Sequence, residues 1–344
     1  MKTSELILTN QVWDNSLCEP VLITYNRAQH LEETLTAFYK VKEYGIHFHV
    51  LDNCSTDNTA AIVKKWQNIW PNLVYHKNVY NIGGNANILR ALEITQSEYA
   101  WILGDDDSWH LDEIDDLIEA MKSQTFDIIR LGWLVSDAFA GKSAEATTIV
   151  KEEQYFFASL SMISSTMIRK KIITATLPYA YHNIANAYPQ LVAPMMAFEQ
   201  QPLTVYSLKQ ALLTHTPSQN PGFFLGDLEW YVAWFRTASY LQNPVYKKKF
   251  ISETIDYMIR PKKGYFRSFL WLLKVALNAK AHGVSQIKYL AELFILGEGW
   301  RLRIFFIALI YTCLPGFIAR GLRQLYYKCI RKPLNKLQYD RSRI

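Results

Sequence analysis

Three consecutive carboxylates, Asp105, Asp106 and Asp107, follow Gly104 at the end of the apolar run Tyr99-Ala100-Trp101-Ile102-Leu103. Like charges at such range disfavour joint ionisation, so the run is costly to hold together without a cation. A divalent ion bridging it to a diphosphate removes that cost, and magnesium binds through one or two carboxylates plus phosphate oxygens and water. The competing reading is an acidic loop capping a helix that starts near Asp112, where negative charge is also favoured. The strand and glycine directly before the run favour the metal. A further carboxylate, Asp52, ends the apolar run Phe48-His49-Val50-Leu51 and there can accept hydrogen bonds from a base edge or a ribose. A turn or capping role is the alternative, one that Asn53, Ser55 and Asp57 can equally fill. Gly83-Gly84 lets backbone approach a ligand closely, although an ordinary turn is the simpler reading.

The elements that must position these groups alternate between strand and helix patterns. Val21-Leu22-Ile23-Thr24 is a short branched apolar run, read as a buried strand. Asn26 can cap a following helix in which Leu31, Leu35 and Phe38 recur at helical spacing. The strand ending on Asp52 precedes a helix opened by Ser55-Thr56-Asp57, with Ile62, Val63 and Trp66 on one face. A third strand at Leu73-Val74-Tyr75, the Gly83-Gly84 loop and a helix through Leu89 and Leu92 lead to the strand before Asp105. Strands joined by helical crossovers predict a mostly parallel central sheet with helices on both faces. Ligands of such sheets bind beyond the carboxyl ends of the strands. That rule puts Thr24 to Arg27, Asp52 to Ser55 and Asp105 to Asp107 along one edge. Residues 126–135 and 161–168 read as further strands, and 137–148 between them as a loop or hairpin. From Asp227 the chain reads as helical almost to its end.

The 344 residues suffice for one large domain or two that share a surface, and half of them are apolar with a fifth charged. Net charge is +6 and uneven: from Arg260 onward, 17 Lys or Arg face only Glu292, Glu298 and Asp340. Such a tail calls for an anionic partner. Residues 304–318 are strongly apolar, interrupted by Pro315-Gly316 and flanked by Arg301, Arg303, Arg320 and Arg323. A bilayer span takes about 20 residues, so attachment to an anionic membrane surface is expected rather than a crossing. Nucleic acid is not expected, because the basic residues alternate with apolar runs. Residues 1–15 carry no signal-peptide pattern, and Cys18, Cys54, Cys313 and Cys329 have no metal or redox spacing, so reduced thiols in a cytoplasmic compartment are expected.

Four segments taken together carry a resemblance: Val21-Leu22-Ile23-Thr24-Tyr25-Asn26-Arg27, Val50-Leu51-Asp52-Asn53-Cys54-Ser55-Thr56-Asp57, Asn81-Ile82-Gly83-Gly84-Asn85-Ala86-Asn87 and Gly104-Asp105-Asp106-Asp107. Their order and spacing resemble the signature of family 2 glycosyltransferases with the GT-A fold, well over about residues 18–110 and more thinly toward about 215. The resemblance implies a Rossmann-like α/β domain over residues 1–225, with a nucleotide-binding half at 18–110 and an acceptor half at 111–225. A basic helical region, 226–344, follows. It also implies inverting transfer from a nucleotide-diphosphate sugar with manganese or magnesium, onto a glycan or lipid-linked glycan of a bacterial surface polysaccharide or lipopolysaccharide. The enzyme would work at the inner face of the plasma membrane.

Carried over by position, Thr24, Tyr25 and Asn26 would border the nucleotide and Asp52 would bind its base. Arg27, Asn53, Ser55, Gly83, Gly84 and Asn87 complete the donor set. Asp105, Asp106 and Asp107 would hold ribose and metal, with His215 as a further metal ligand. The family's first aspartate of Asp-x-Asp falls at Gly104, so the acidic run is offset. The stretch where the family places its base carries no carboxylate, which leaves His182, Asp227 and Asp137 as candidates. Two alternatives stand beside this reading. A nucleotidyltransferase should show a Gly-rich loop after its first strand, and Thr24-Tyr25-Asn26-Arg27 has no glycine. A non-catalytic sugar-nucleotide-binding or scaffold protein needs no base. No feature sets an oligomeric state.

Overall fold

The computed structural model describes residues 12–186, 188–214, 228–258, 265–281, 285–297 and 299–329. The chain divides into two compact units, 1–216 and 217–344.

In the first unit the expected alternation forms: β1 (Val21–Thr24), α1 (Ala28–Tyr39), β2 (Phe48–Asp52), α2 (Thr59–Gln67), β3 (Leu73–Lys77), α3 (Gly84–Ile94) and β4 (Tyr99–Gly104). There follow β5 (Ser108–Trp109), α4 (Ile114–Ser123), β6 (Ile128–Arg130), β7 (Lys142–Glu145), α5 (Ala146–Glu152) and α6 (Phe156–Ser161). The unit closes with β8 (Thr166–Arg169), α7 (Lys170–His182), α8 (Val192–Gln200), β9 (Thr204–Ser207) and β10 (Leu213–Thr214). Eight strands make one sheet in the order β3-β2-β1-β4-β8-β6-β9-β7, while β5 and β10 pair separately. The pairs from β3 through β4 are parallel, β8 runs antiparallel to both neighbours, β9 is parallel to β6, and β7 closes the edge antiparallel.

Alternation along β4 sorts the two faces of the sheet. Tyr99, Trp101 and Leu103 join one core with Leu31, Leu35 and Phe38 of α1, Val63 and Trp66 of α2, and Leu117 and Ile118 of α4. Ala100 and Ile102 point the other way, toward Leu92, Leu160 and Ile168. The helical spacing of Leu31, Leu35 and Phe38 therefore does what it predicts, burying one stripe of α1 completely. Rings fill the first core: Trp101 stacks on Trp13 at 6.3 Å and meets Phe38 and Trp109 edge-on at 5.7 and 5.6 Å.

Three local expectations are corrected. The strand expected over 126–135 stops at Arg130, because Gly132 turns with φ +94 and any Cβ there would lie 2.3 Å from the Ala211 Cα. The strand expected from 161 begins only at Thr166. Ser165 Oγ donates to the Ser159 carbonyl at 2.8 Å, stabilising a tight turn instead. Residues 137–148, expected as a loop or hairpin, contain β7 and the start of α5.

The second unit is helical throughout its described residues: α9 (Leu228–Ala238), α10 (Pro244–Met258), α11 (Tyr265–Ala281), α12 (Ile287–Leu296), α13 (Arg301–Cys313) and α14 (Gly316–Cys329). Trp234 stacks on Phe250 at 4.5 Å, and Arg236 grips Glu292 with two charged hydrogen bonds of 2.5 and 2.8 Å. On α13, Ile304, Ile307 and Tyr311 form a buried stripe, while Leu302, Phe305, Phe306 and Leu309 lie on the opposite side, exposed. The strongly apolar stretch thus resolves into one packed face and one bare one. After the Leu314-Pro315 break the chain turns by 105° into α14, where Phe317, Ile318, Leu322 and Leu325 are exposed along one side.

Candidate functional site

Four polar segments converge at the carboxyl ends of β1, β2 and β4 and at the start of α3. Parallel pairing sets this convergence, with Thr24 in register with Asp52 and Ile23 with Gly104. Position comes from backbone geometry; the finer arrangement comes from a web of side-chain bonds.

Asn26 does not cap α1 as expected. Its φ of +52 swings the side chain toward the loop after β2, where Oδ1 accepts the Thr56 amide at 2.8 Å. Its own N–H donates to Ser55 Oγ at 2.8 Å. The capping work falls to Asp57, which accepts the Ala28 amide at the head of α1 and the Thr59 amide at the head of α2, both at 3.1 Å. Burial works to raise the Asp57 carboxyl, but hydrogen bonds from Thr59 and Ala28 prevail and hold it below its ordinary value.

Asp52 stands at the end of β2 with its side chain fully enclosed, at 0% exposure. One oxygen accepts the Ser55 amide at 2.7 Å and the other accepts the Tyr75 hydroxyl at 2.6 Å. Tyr75 is correspondingly raised far above the usual phenol value, by burial first and then by the Asp52 hydrogen bond. In this arrangement Asp52 fastens the 52–55 turn, and direct contact with a base requires Tyr75 to swing aside. Asn53 is buried and does more than its sequence setting announces: its oxygen accepts from Asn78 Nδ2 and the Ile82 amide, both at 3.0 Å, and its amide donates to Asn81 at 2.8 Å. Asn78 also donates to Asn87 Oδ1 at 2.8 Å. These asparagines bind the Gly83 loop to the end of β2. Gly83 enters α3 with φ +84 and ψ 157, an extended conformation of positive φ that favours glycine, so the glycine pair opens the helix.

The acidic run divides into two parts. Asp105 is buried, accepting Thr24 Oγ1 at 2.7 Å and Arg27 Nη1 at 3.0 Å, while α1 holds its carbonyl through Thr34 at 3.2 Å. Burial lifts the Asp105 carboxyl above its ordinary value, against the pull of Thr24 and Arg27 and with a push from Asp106. The same Arg27 nitrogen donates to Asp106 Oδ2 at 2.7 Å. Asp106 and Asp107 converge over Gly104: a Cβ at that glycine would sit 3.3 Å from Asp106 Oδ1 and 3.4 Å from Asp107 Oδ2. Ser164, which the sequence reading missed, accepts the Gly104 amide at 2.8 Å and takes the Trp101 indole N–H on its carbonyl at 3.0 Å. It thereby pins the end of β4 under the run.

Among the described residues no group of three or more His, Cys, Asp or Glu side chains is arranged to hold a metal ion. Of the residues expected to hold ribose and metal, Asp105 faces Thr24 and Arg27, while one oxygen each of Asp106 and Asp107 approaches the space over Gly104. Two hard carboxylates with phosphate oxygens and water still suit magnesium or manganese. His215 and Asp227 lie outside the described residues. His182, exposed, ends α7, and Asp137, exposed, follows β6; neither is hydrogen-bonded to the acidic run among the described residues. Segment 183–186, next to His182, is nevertheless drawn to the site, because Asn85 in the first turn of α3 donates to the Ile184 and Asn186 carbonyls at 2.8 and 2.7 Å. Tyr25 is exposed beside the 52–55 turn.

The profile of Glycosyl transferase family 2 matches residues 21–175, a span from β1 into α7 that includes segments 24–27, 52–57, 78–87 and 104–107. Abequosyltransferase RfbV of Salmonella typhimurium is 31% identical over 112 residues, 32% of this chain and 33% of that protein. The dTDP-rhamnosyl transferase RfbG of Shigella flexneri is 26% identical over 105 residues, 29% and 36% of the two chains. This chain thus spans about a third of the length of the curated relatives it matches. S. aureus TarS residues 1–349, solved with UDP, superposes with a TM-score of 0.55 at 15% identity, covering 89% of this chain and 92% of that one. That likeness is one of fold, and it extends the GT-A arrangement with its following helical region along most of the chain. Over residues 21–175, then, the chain is similar to the family 2 glycosyl transferases.

Proposed function

We propose that the protein transfers a sugar from a nucleotide-diphosphate donor to an acceptor hydroxyl with inversion, in the synthesis of a bacterial surface polysaccharide or lipopolysaccharide. The observation that carries this reading is the single hydrogen-bonded edge uniting segments 24–27, 52–57, 78–87 and 104–107. The abequosyl- and rhamnosyltransferases it resembles support the sugar-nucleotide class. In this reading the exposed Tyr25 ring and the 52–55 turn receive the base, with Asp52 and Tyr75 holding that turn in shape. Asp106 and Asp107 would hold manganese or magnesium, which neutralises the diphosphate as it leaves. His182 is the favoured base, since Asn85 tethers the adjoining segment to the first turn of α3. It would take the acceptor proton as the hydroxyl attacks opposite the nucleotide, and that direction of attack inverts the anomeric carbon.

The acceptor in this reading is a glycan or lipid-linked glycan that docks over 111–225. Residues 226–344 attach the enzyme to the inner face of the plasma membrane. No single helix among the described residues is long and apolar enough to cross a bilayer. The bare faces of α13 and α14 instead suit in-plane insertion, and residues 299–329 contain Arg301, Arg303, Arg320, Arg323 and Lys328 with no Asp or Glu. The deciding experiment is sugar transfer assayed across UDP-, GDP- and dTDP-sugars with manganese. Transfer should vanish in EDTA and in both Asp106→Ala and Asp107→Ala. Transfer that survives all three defeats the metal-diphosphate reading, and a protein inert toward every donor defeats the enzyme reading.

A further inference from the structure

One atom of the site bridges two carboxylates. Arg27 Nη1 donates to Asp105 at 3.0 Å and to Asp106 at 2.7 Å. Arg27 is the residue just before α1, half-exposed, and the Asp57–Ala28 bond fixes the start of that helix. The two carboxylates differ in what they need. Asp105 is buried and also satisfied by Thr24, whereas Asp106 is part-exposed and shares with Asp107 the space over Gly104. A cation seated there therefore competes with Arg27 for Asp106 and leaves the Arg27–Asp105 bond alone.

We infer that Arg27 is an internal counter-cation that occupies Asp106 in the donor-free protein and passes to the donor's diphosphate when a divalent ion takes Asp106. The inference rests on the metal-diphosphate reading above and adds a linkage to it. A divalent ion and a guanidinium drawn to the same part-exposed carboxylate repel one another, so the metal and Arg27 cannot share Asp106 at full strength. A diphosphate resolves this conflict by supplying acceptors for the displaced guanidinium, a geometry to which arginine is suited. Metal alone then binds weakly, metal and nucleotide diphosphate each strengthen the other, and the coupling is reciprocal. Anchoring by Asp105 makes the exchange a short swing of the guanidinium, because one of its two bonds persists.

The test compares wild type with Arg27→Gln and Arg27→Lys. Manganese affinity is measured by electron paramagnetic resonance without nucleotide, and UDP, GDP and dTDP affinities by calorimetry at saturating manganese. Arg27→Gln should bind manganese alone about three- to tenfold more tightly, since a part-exposed competing ion pair is removed. It should bind the nucleotide diphosphate preferred by wild type about tenfold more weakly, and Arg27→Lys should fall between. A structural role for Arg27 would weaken both ligands together, and equal or weaker manganese binding in Arg27→Gln overturns the exchange. If wild type binds no nucleotide diphosphate with manganese, the metal-diphosphate reading itself falls and takes the exchange with it. Unfolding midpoints of the three proteins show that the comparison is made between folded states.

Discussion

Replacing both Phe305 and Phe306 by serine tests whether the bare face of α13 meets a membrane. The rings are 51% and 46% exposed, and they project away from the buried stripe of Ile304, Ile307 and Tyr311. A phenylalanine carries roughly 200 Å² of surface, so about 100 Å² per ring is available to lipid. At about 25 cal/mol per Å², full transfer contributes about 2.5 kcal/mol per ring, hence about 5 kcal/mol for the pair and half that at partial immersion. Binding to vesicles should therefore weaken by roughly two orders of magnitude or more. The assay is flotation with phosphatidylglycerol vesicles against neutral phosphatidylcholine vesicles, at low and high salt. Wild type should float with anionic vesicles only and lose binding in salt, because each Lys or Arg near the leaflet adds about 1 kcal/mol. Exposed positions tolerate substitution within about 0.5 kcal/mol, so the unfolding midpoint of the double variant should hold. Unchanged flotation, or a midpoint that collapses, refutes the assignment: the first means that lipid does not touch the face, the second that the rings are core.

Three further outcomes follow from buried polar groups. Asn53→Ala strands Asn78 and the Ile82 amide, and should cost about 1–3 kcal/mol in urea unfolding while weakening nucleotide binding. Glu153→Ala leaves Arg130 charged and only 1% exposed, without its 2.6 Å partner, and should cost about 3–5 kcal/mol by chemical denaturation; Arg130→Met with Glu153→Leu should be far milder. His49 and His76, linked at 2.9 Å, are both held below the ordinary imidazole value, chiefly by burial. The unfolded chain therefore binds more protons, so stability is full above about pH 6.5 and declines as pH falls through the depressed folded values. Glu19 and His47 face His49, and Arg90 acts on His76, so replacing His76 by Gln should flatten the decline in midpoint against pH.

The strand ends were legible because sheet physics leaves little choice. A branched apolar run that ends in Thr24, Asp52 or Gly104 delivers its next residues to the same rim whenever the strands are parallel. What each residue does at that rim was less legible. Asp52 and Asp105 look like ligands in sequence, yet both are enclosed, since burial depends on Tyr75 and Thr24 from neighbouring strands. Asn78, Ser164 and Asn85 carry no signal of their own, because their partners stand 25, 60 and about 100 residues away. Beyond β6, β7 escaped notice because a polar edge strand such as Lys142–Glu145 lacks the apolar pattern that marks a buried one.

The change of partner along β4 has an evolutionary consequence. Tyr99 to Trp101 pair with β8, while Ile102 to Gly104 pair with β1, so the sheet forks three residues before the acidic run. The strands that carry the hydrogen-bonded edge, β1 to β4, lie on one side of the fork, and β8 joins them through three residue pairs. The family profile ends at residue 175, just past that seam, and β9 and β10 lie beyond it. Under the proposed function, the distal strands can be remodelled for new acceptors while β1 to β4 keep their arrangement, much as a handle accepts different blades. A chimera joined within α7 tests that interchange: donor affinity should travel with the N-terminal parent and acceptor choice with the other.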